Sequence, residues 1–189
     1  RPPEGGGNRE VHVRSRRERR GCVRKRYHSM AGKSRNPLGH TMYSSKLDSV
    51  FINGQQTSEF FLHGNIAAKH GVPLVFVSGD AGLCEEVKDV SPNTTTHATM
   101  VGVGDSTINI QPETSRKAIR EKVKVTLSSN LKKCIWAHPD SFSLEVRFIK
   151  QQFAYRASHY PGATLLDAKT VAFEASDFDN IMRFMLFTV

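Results

Sequence analysis

The chain has 189 residues, 38% apolar and 24% charged, with a formal net charge of +9, a size that suits one buried core and is short for two ordinary domains. The charge is uneven: residues 1–26 hold ten Lys and Arg against three Glu, and the remainder holds seventeen against fifteen Asp and Glu, so a nucleic-acid role would rest on the N-terminal arm alone. Three widely spaced cysteines, Cys22, Cys84 and Cys134, argue against a disulfide framework or zinc ribbon, and no apolar run reaches the ~18 residues of a membrane span, so a soluble, cytoplasmic protein with no membrane partner is expected.

Residues 1–26 open on RPPEGGGNRE and continue into an arginine run, too poor in apolar surface to repay ordering. They read as a basic tail, disordered or non-native, preceding a domain over 27–189. RRERRGCVRKR lacks the apolar face of an amphipathic targeting helix. LDSVFING reads as a short strand closed by the turn pair Asn53-Gly54. QTSEFFLHGNIAAKHG reads as a helix capped by Thr57 or Ser58, with Phe61, Ile66 and Ala67 helping to form its buried face and Gly71 stopping it. VPLVFVSGD is a continuous apolar run of the kind buried on both faces of a sheet, and AGLCEEVKDV is a short helix after Asp80.

THATMVGVGDSTINI reads as an irregular extended region. PETSRKAIREKVKVTLSSN opens with Pro112 and Glu113 as helix N-termini do. FSLEVRFI alternates Leu144, Val146 and Phe148 as a strand, QQFAYRASHY is a helix stopped by Pro161-Gly162, and TLLDAKTVAFEA supplies one or two strand pieces. SDFDNIMRFMLFTV closes the chain as a helix capped by Ser176 or Asp177, its apolar stripe formed by Phe178, Ile181, Met182, Phe184 and Met185. Strands alternating with helices predict an α/β fold, a mixed or mostly parallel sheet with flanking helices.

Two phosphate-binding patterns fail. Gly32-Lys33-Ser34 would need a glycine at position 27, which is Tyr, and Gly102-x-Gly104 meets Thr107 where a third glycine belongs. The chemistry left is in histidines and carboxylates. His28, His40 and Glu59 each stand at the expected end of an element, and imidazole nitrogen with carboxylate oxygen suits Zn²⁺. Against this, eight histidines in one chain include some without a special role. Glu59 and His63, four apart on one helix face, read equally as a solvated pair.

The motifs Tyr27-His28-Ser29-Met30-Ala31-Gly32, Gly39-His40-Thr41-Met42, Ile52-Asn53-Gly54, Glu59, and Gly71-Val72-Pro73 through Gly79-Asp80 follow one another in an order that resembles the zinc-dependent D-aminopeptidases. The resemblance covers about residues 27–189. It implies His28 and Glu59 as zinc ligands, His40 as the catalytic histidine, two zinc ions, and hydrolysis of the bond after an N-terminal D-amino acid in a short peptide. It also implies a homo-oligomer.

The same resemblance implies ligands that this stretch lacks. The family carries an Asp-x-Glu pair and a further histidine upstream of the YHSMAG position, whereas residues 1–26 contain no Asp. CVRKRYHS, with its cations, also makes a poor interior strand. The expectation is therefore the C-terminal part of such an enzyme, with N-terminal strands missing and a dinuclear site that does not close as written. The alternative from another class is a nucleic-acid-binding protein using its Arg-rich arm, which lacks interleaved aromatics for base stacking.

Overall fold

The computed structural model describes residues 14–15, 18–19, 22–32 and 36–189, with side chains from Tyr27 onward within those spans. Two short strands, β1 (Arg14–Ser15) and β2 (Glu18–Arg19), pair antiparallel. They lead to β3 (Cys22–Tyr27). The tail was expected to run to Arg26, but the backbone of CVRKRY lies parallel to a later strand, with Cys22 beside Leu74 and Tyr27 beside Gly79. The objection to three cations applies to an interior strand, and β3 lies at the edge of its sheet among the described strands, where charged residues are common.

β4 (Leu47–Ile52) turns at Asn53-Gly54 into β5 (Gln55–Gln56). Both turn residues have positive φ, 51° and 76°, the mirror-image turn that matches strand twist and that Asn-Gly favours. α1 (Glu59–Lys69) begins after extended Ser58 with an acidic residue in its first turn, a favourable charge at that end. β6 (Leu74–Asp80) is buried at all seven positions. α2 (Ala81–Val90) follows directly, its N-terminus capped by the Asp80 side chain.

The segment expected to be irregular is a hairpin of β7 (Thr95–Val103) and β8 (Ser106–Asn109). β7 gains order from both sides, parallel to β6 and antiparallel to β8, and long-range pairing of this kind leaves little trace in local pattern. Gly104 sits in the turn with φ 57°, a backbone that glycine adopts without a steric cost. α3 (Pro112–Leu127) starts with Pro112 at its first turn. A 3₁₀ turn over Leu131–Cys134 precedes β9 (Phe142–Phe148). α4 (Gln151–Ala157), β10 (Ala163–Leu165), β11 (Thr170–Ala175) and α5 (Phe178–Thr188), capped by Asp177, complete the chain.

The result is α/β, with two larger sheets among the described residues besides the β1–β2 pair. One is the expected mixed sheet, ordered β3-β6-β7-β8. The other, β10-β11-β9-β4-β5, is wholly antiparallel. α1 packs toward both cores: Leu62 belongs to the cluster with Val50, Leu144, Val146 and Phe184, whereas Phe60 belongs to the one with Tyr27, Val77 and Leu83. Burying each such side chain is worth roughly 1.5–3 kcal/mol, so α1 is held from two directions. Its N-terminus, where Glu59 sits, is correspondingly fixed.

Candidate metal and catalytic site

β3 delivers His28 one residue beyond its end, and His40 lies in the connection to β4, ahead of β5 and α1. The loop is organised on Asp80, which is fully buried at the junction of β6 and α2. Its Oδ2 accepts the Ser29 N–H at 3.0 Å and the Asn36 Nδ2–H at 2.8 Å, while Oδ1 accepts the Leu83 N–H at 2.9 Å. One carboxylate thus caps α2 and grips both ends of the turn. A buried carboxylate needs such donors, since leaving it without them would cost several kcal/mol.

Further ties close the loop. The His40 N–H donates to the Ser29 carbonyl at 3.2 Å, and the Met30 N–H to Glu86 Oε1 at 3.0 Å. A Cβ on Gly39 would lie 2.9 Å from the Met30 carbonyl oxygen, and one on Gly79 would lie 2.5 Å from that of Tyr27, so both close approaches require glycine. On the α1 side, Thr41 Oγ1 donates to the Thr57 carbonyl at 2.7 Å and the Met42 N–H to Glu59 Oε1 at 3.1 Å. Met42 holds φ at 60°, an uncommon backbone for a residue with a side chain, which these contacts sustain.

The His28 and His40 rings face one another, 5.5 Å between centroids and tilted by 34°. His40 Nδ1 lies 2.6 Å from the Leu38 carbonyl oxygen. A carbonyl only accepts, so Nδ1 carries the proton and the neutral ring keeps its lone pair on Nε2. His28 Nδ1 is buried and has no hydrogen-bond partner among the described residues. Such a nitrogen is costly unless something binds it, and a metal ion is the group an imidazole in that state suits. Glu59 is oriented by the Met42 N–H two residues from His40.

The structure therefore brings His28 and His40 together and links Glu59 to the same loop. Among the described residues, however, no three His, Cys, Asp or Glu side chains gather to hold a metal ion. His28 fits one position in a zinc site, and the described residues do not complete the two-ion set. His63 points elsewhere, its Nδ1 2.7 Å from the Tyr27 hydroxyl. His97 is interior, with Nε2 3.1 Å from Ser115 Oγ, and burial, followed by the charge of Lys122, lowers its pKa.

Asp80 and Asn36 escaped the reading of the sequence as site residues. The signal for Asp80 was a carboxylate at the buried end of an apolar strand. Asn36 had no comparable signal, because its partners lie 44 residues away and two residues ahead. The arginine side chains on which the nucleic-acid alternative rested lie outside the described residues, and no comparison points to that alternative. No helix among the described residues is long and apolar enough to cross a membrane.

A family profile described as D-aminopeptidase matches residues 22–187, and the chain belongs to that family. It is 26% identical over 169 residues to a D-aminopeptidase of Bacillus subtilis (strain 168), covering 88% of this chain and 61% of that protein. It also resembles the solved structure of a Zn-dependent D-aminopeptidase, DppA, from Bacillus subtilis, described as a self-compartmentalizing protease. The TM-score is 0.82 at 25% identity, over 89% of this chain and 62% of that one. The chain thus spans about three fifths of the length of these relatives.

Proposed function

We propose that this chain carries part of the active site of a zinc peptidase that releases an N-terminal D-amino acid from short peptides. His28 and Glu59 are metal ligands and His40 is the catalytic histidine. The observation that carries this reading is the pairing of the partnerless, buried His28 Nδ1 with a His40 ring whose Nδ1 is held by the Leu38 carbonyl. Family membership supplies the reaction class, and the Zn-dependence of the Bacillus subtilis relative supports the metal.

In this arrangement His40 works through Nε2. The neutral ring accepts a proton there, and the charged ring returns it to the departing amine, while the Nδ1–H to Leu38 contact fixes the ring plane throughout. Glu59 Oε1 holds the Met42 N–H and so couples the ligand helix to the loop carrying His40. Bound zinc would polarise the scissile carbonyl and lower the pKa of an attacking water. The self-compartmentalizing relative supports a homo-oligomer, and the buried free thiols Cys84 and Cys134 suit the reducing cytoplasm.

The reading is tested by measuring zinc content and hydrolysis of D-alanyl dipeptides together. His40→Ala is expected to keep zinc and lower kcat by roughly 10²–10⁴-fold. His28→Ala is expected to lose both. Equal hydrolysis by wild type and His40→Ala, or equal zinc retention by wild type and His28→Ala, would rule out these assignments.

A further inference from the structure

We infer that Asn36 is a positioning residue for His40, connecting the buried Asp80 to the imidazole. This rests on the reading of His40 as catalytic. The connection is continuous: Asn36 Nδ2–H donates to Asp80 Oδ2 at 2.8 Å, the Leu38 N–H donates to Asn36 Oδ1 at 2.9 Å, and His40 Nδ1–H donates to the Leu38 carbonyl at 2.6 Å. Asn36 is itself buried, 5% exposed, whereas Leu38 is 58% exposed. The burial decides the direction of control.

A carbonyl in an exposed turn competes with water for an imidazole N–H and holds a ring only when its own peptide is fixed. The Leu38 carbonyl belongs to the Leu38–Gly39 peptide, whose Gly39 N–H is held by the Asn36 main-chain carbonyl, and the preceding Pro37–Leu38 peptide is held through its Leu38 N–H by the Asn36 side-chain oxygen. Asn36 is fixed in turn because its amide is matched at both ends, nitrogen to a carboxylate and oxygen to an N–H. Its own carbonyl also accepts the Gly39 N–H at 3.1 Å, which sets the approach to His40. Asp is no substitute at position 36: it would keep the acceptor for Leu38 but set two carboxylates against each other at Asp80.

The test compares wild type, Asn36→Ala and Asn36→Asp in the full chain, using ¹⁵N–¹H multiple-bond spectra of the His40 ring and the kinetics of D-alanyl dipeptide hydrolysis. In wild type, the spectrum is expected to show a proton held on Nδ1 and a pyridine-type Nε2. Both variants are expected to shift the ring toward averaging between tautomers and to lower kcat by about 10–100-fold, the range seen when outer-shell partners are removed, with KM little changed. The Asn36→Asp variant retains side-chain volume and the acceptor for the Leu38 N–H, so it separates loss of the Asp80 bond from loss of bulk. An unchanged tautomer in both variants overturns the inference, whatever happens to activity. A tautomer lost in both variants upholds the role of Asn36 even where the chain hydrolyses no peptide, an outcome that counts against hydrolysis by this chain alone.

Discussion

His28 and Asp80 are both buried polar groups, but they are satisfied in opposite ways. Asp80 meets three donors from within the fold, while His28 Nδ1 meets none among the described residues. A residue that serves packing alone resembles the first. Asp80→Ala should therefore cost about 3–5 kcal/mol in denaturant unfolding, since it strands a peptide N–H, an amide and a helix cap together. His97 makes a separate prediction. Burial lowers its folded pKa below the ordinary value of 6.5, so the unfolded chain binds the extra proton first as pH falls. The stability gained by keeping His97 neutral is present above 6.5 and declines below it, toward the folded pKa. The melting temperature should fall over that window, and His97→Asn should flatten the slope.

α1 is the element on which the site depends, because it takes its position from both cores. Trp136 reinforces it, with ring centroids 5.4 Å from both Phe60 and Phe61. A Cβ on Gly64 would lie 2.3 Å from the Trp136 ring. Gly64→Ala is expected to destabilise by about 1–3 kcal/mol as the indole is displaced. Because Trp136 is the sole tryptophan, its fluorescence reports the displacement directly, and an unchanged spectrum with unchanged stability would contradict the packing described.

Elements whose cause is local were legible beforehand. The seven buried residues of β6, the Asn53-Gly54 turn and the Pro112 start of α3 each follow from residue chemistry within a few positions. The β7–β8 hairpin and the start of β3 at Cys22 were not, because both depend on β6 being in place as a template. The antiparallel sheet was hidden for the same reason, since β4 pairs with β9 across some ninety intervening residues. Within the site, His28 just past β3 and Glu59 at the start of α1 were visible as residue types at element ends, whereas His40, expected at one, lies within the loop before β4. The network that aims His40 was not visible, because Asn36 and Asp80 meet only after β6 and the loop have come together.

The molecule as a whole exposes large apolar side chains on several elements, including Ile108 in β8, Val125 in α3, and Leu186 and Phe187 in α5. The chain also spans only about three fifths of its relatives. Exposed apolar surface of this extent favours association. The purified chain should sediment as an associated species, and a monodisperse monomer with a cooperative melt would count against that expectation.

The central claim is that His28 and Glu59 hold zinc beside His40. Anomalous diffraction at the zinc edge from crystals grown with zinc tests it most directly. The account predicts a peak about 2.0–2.1 Å from a His28 ring nitrogen and about 2.0–2.2 Å from a Glu59 oxygen, with His40 facing it. Zinc bound only at other residues, with His28 Nδ1 hydrogen-bonded to protein or water, would contradict it.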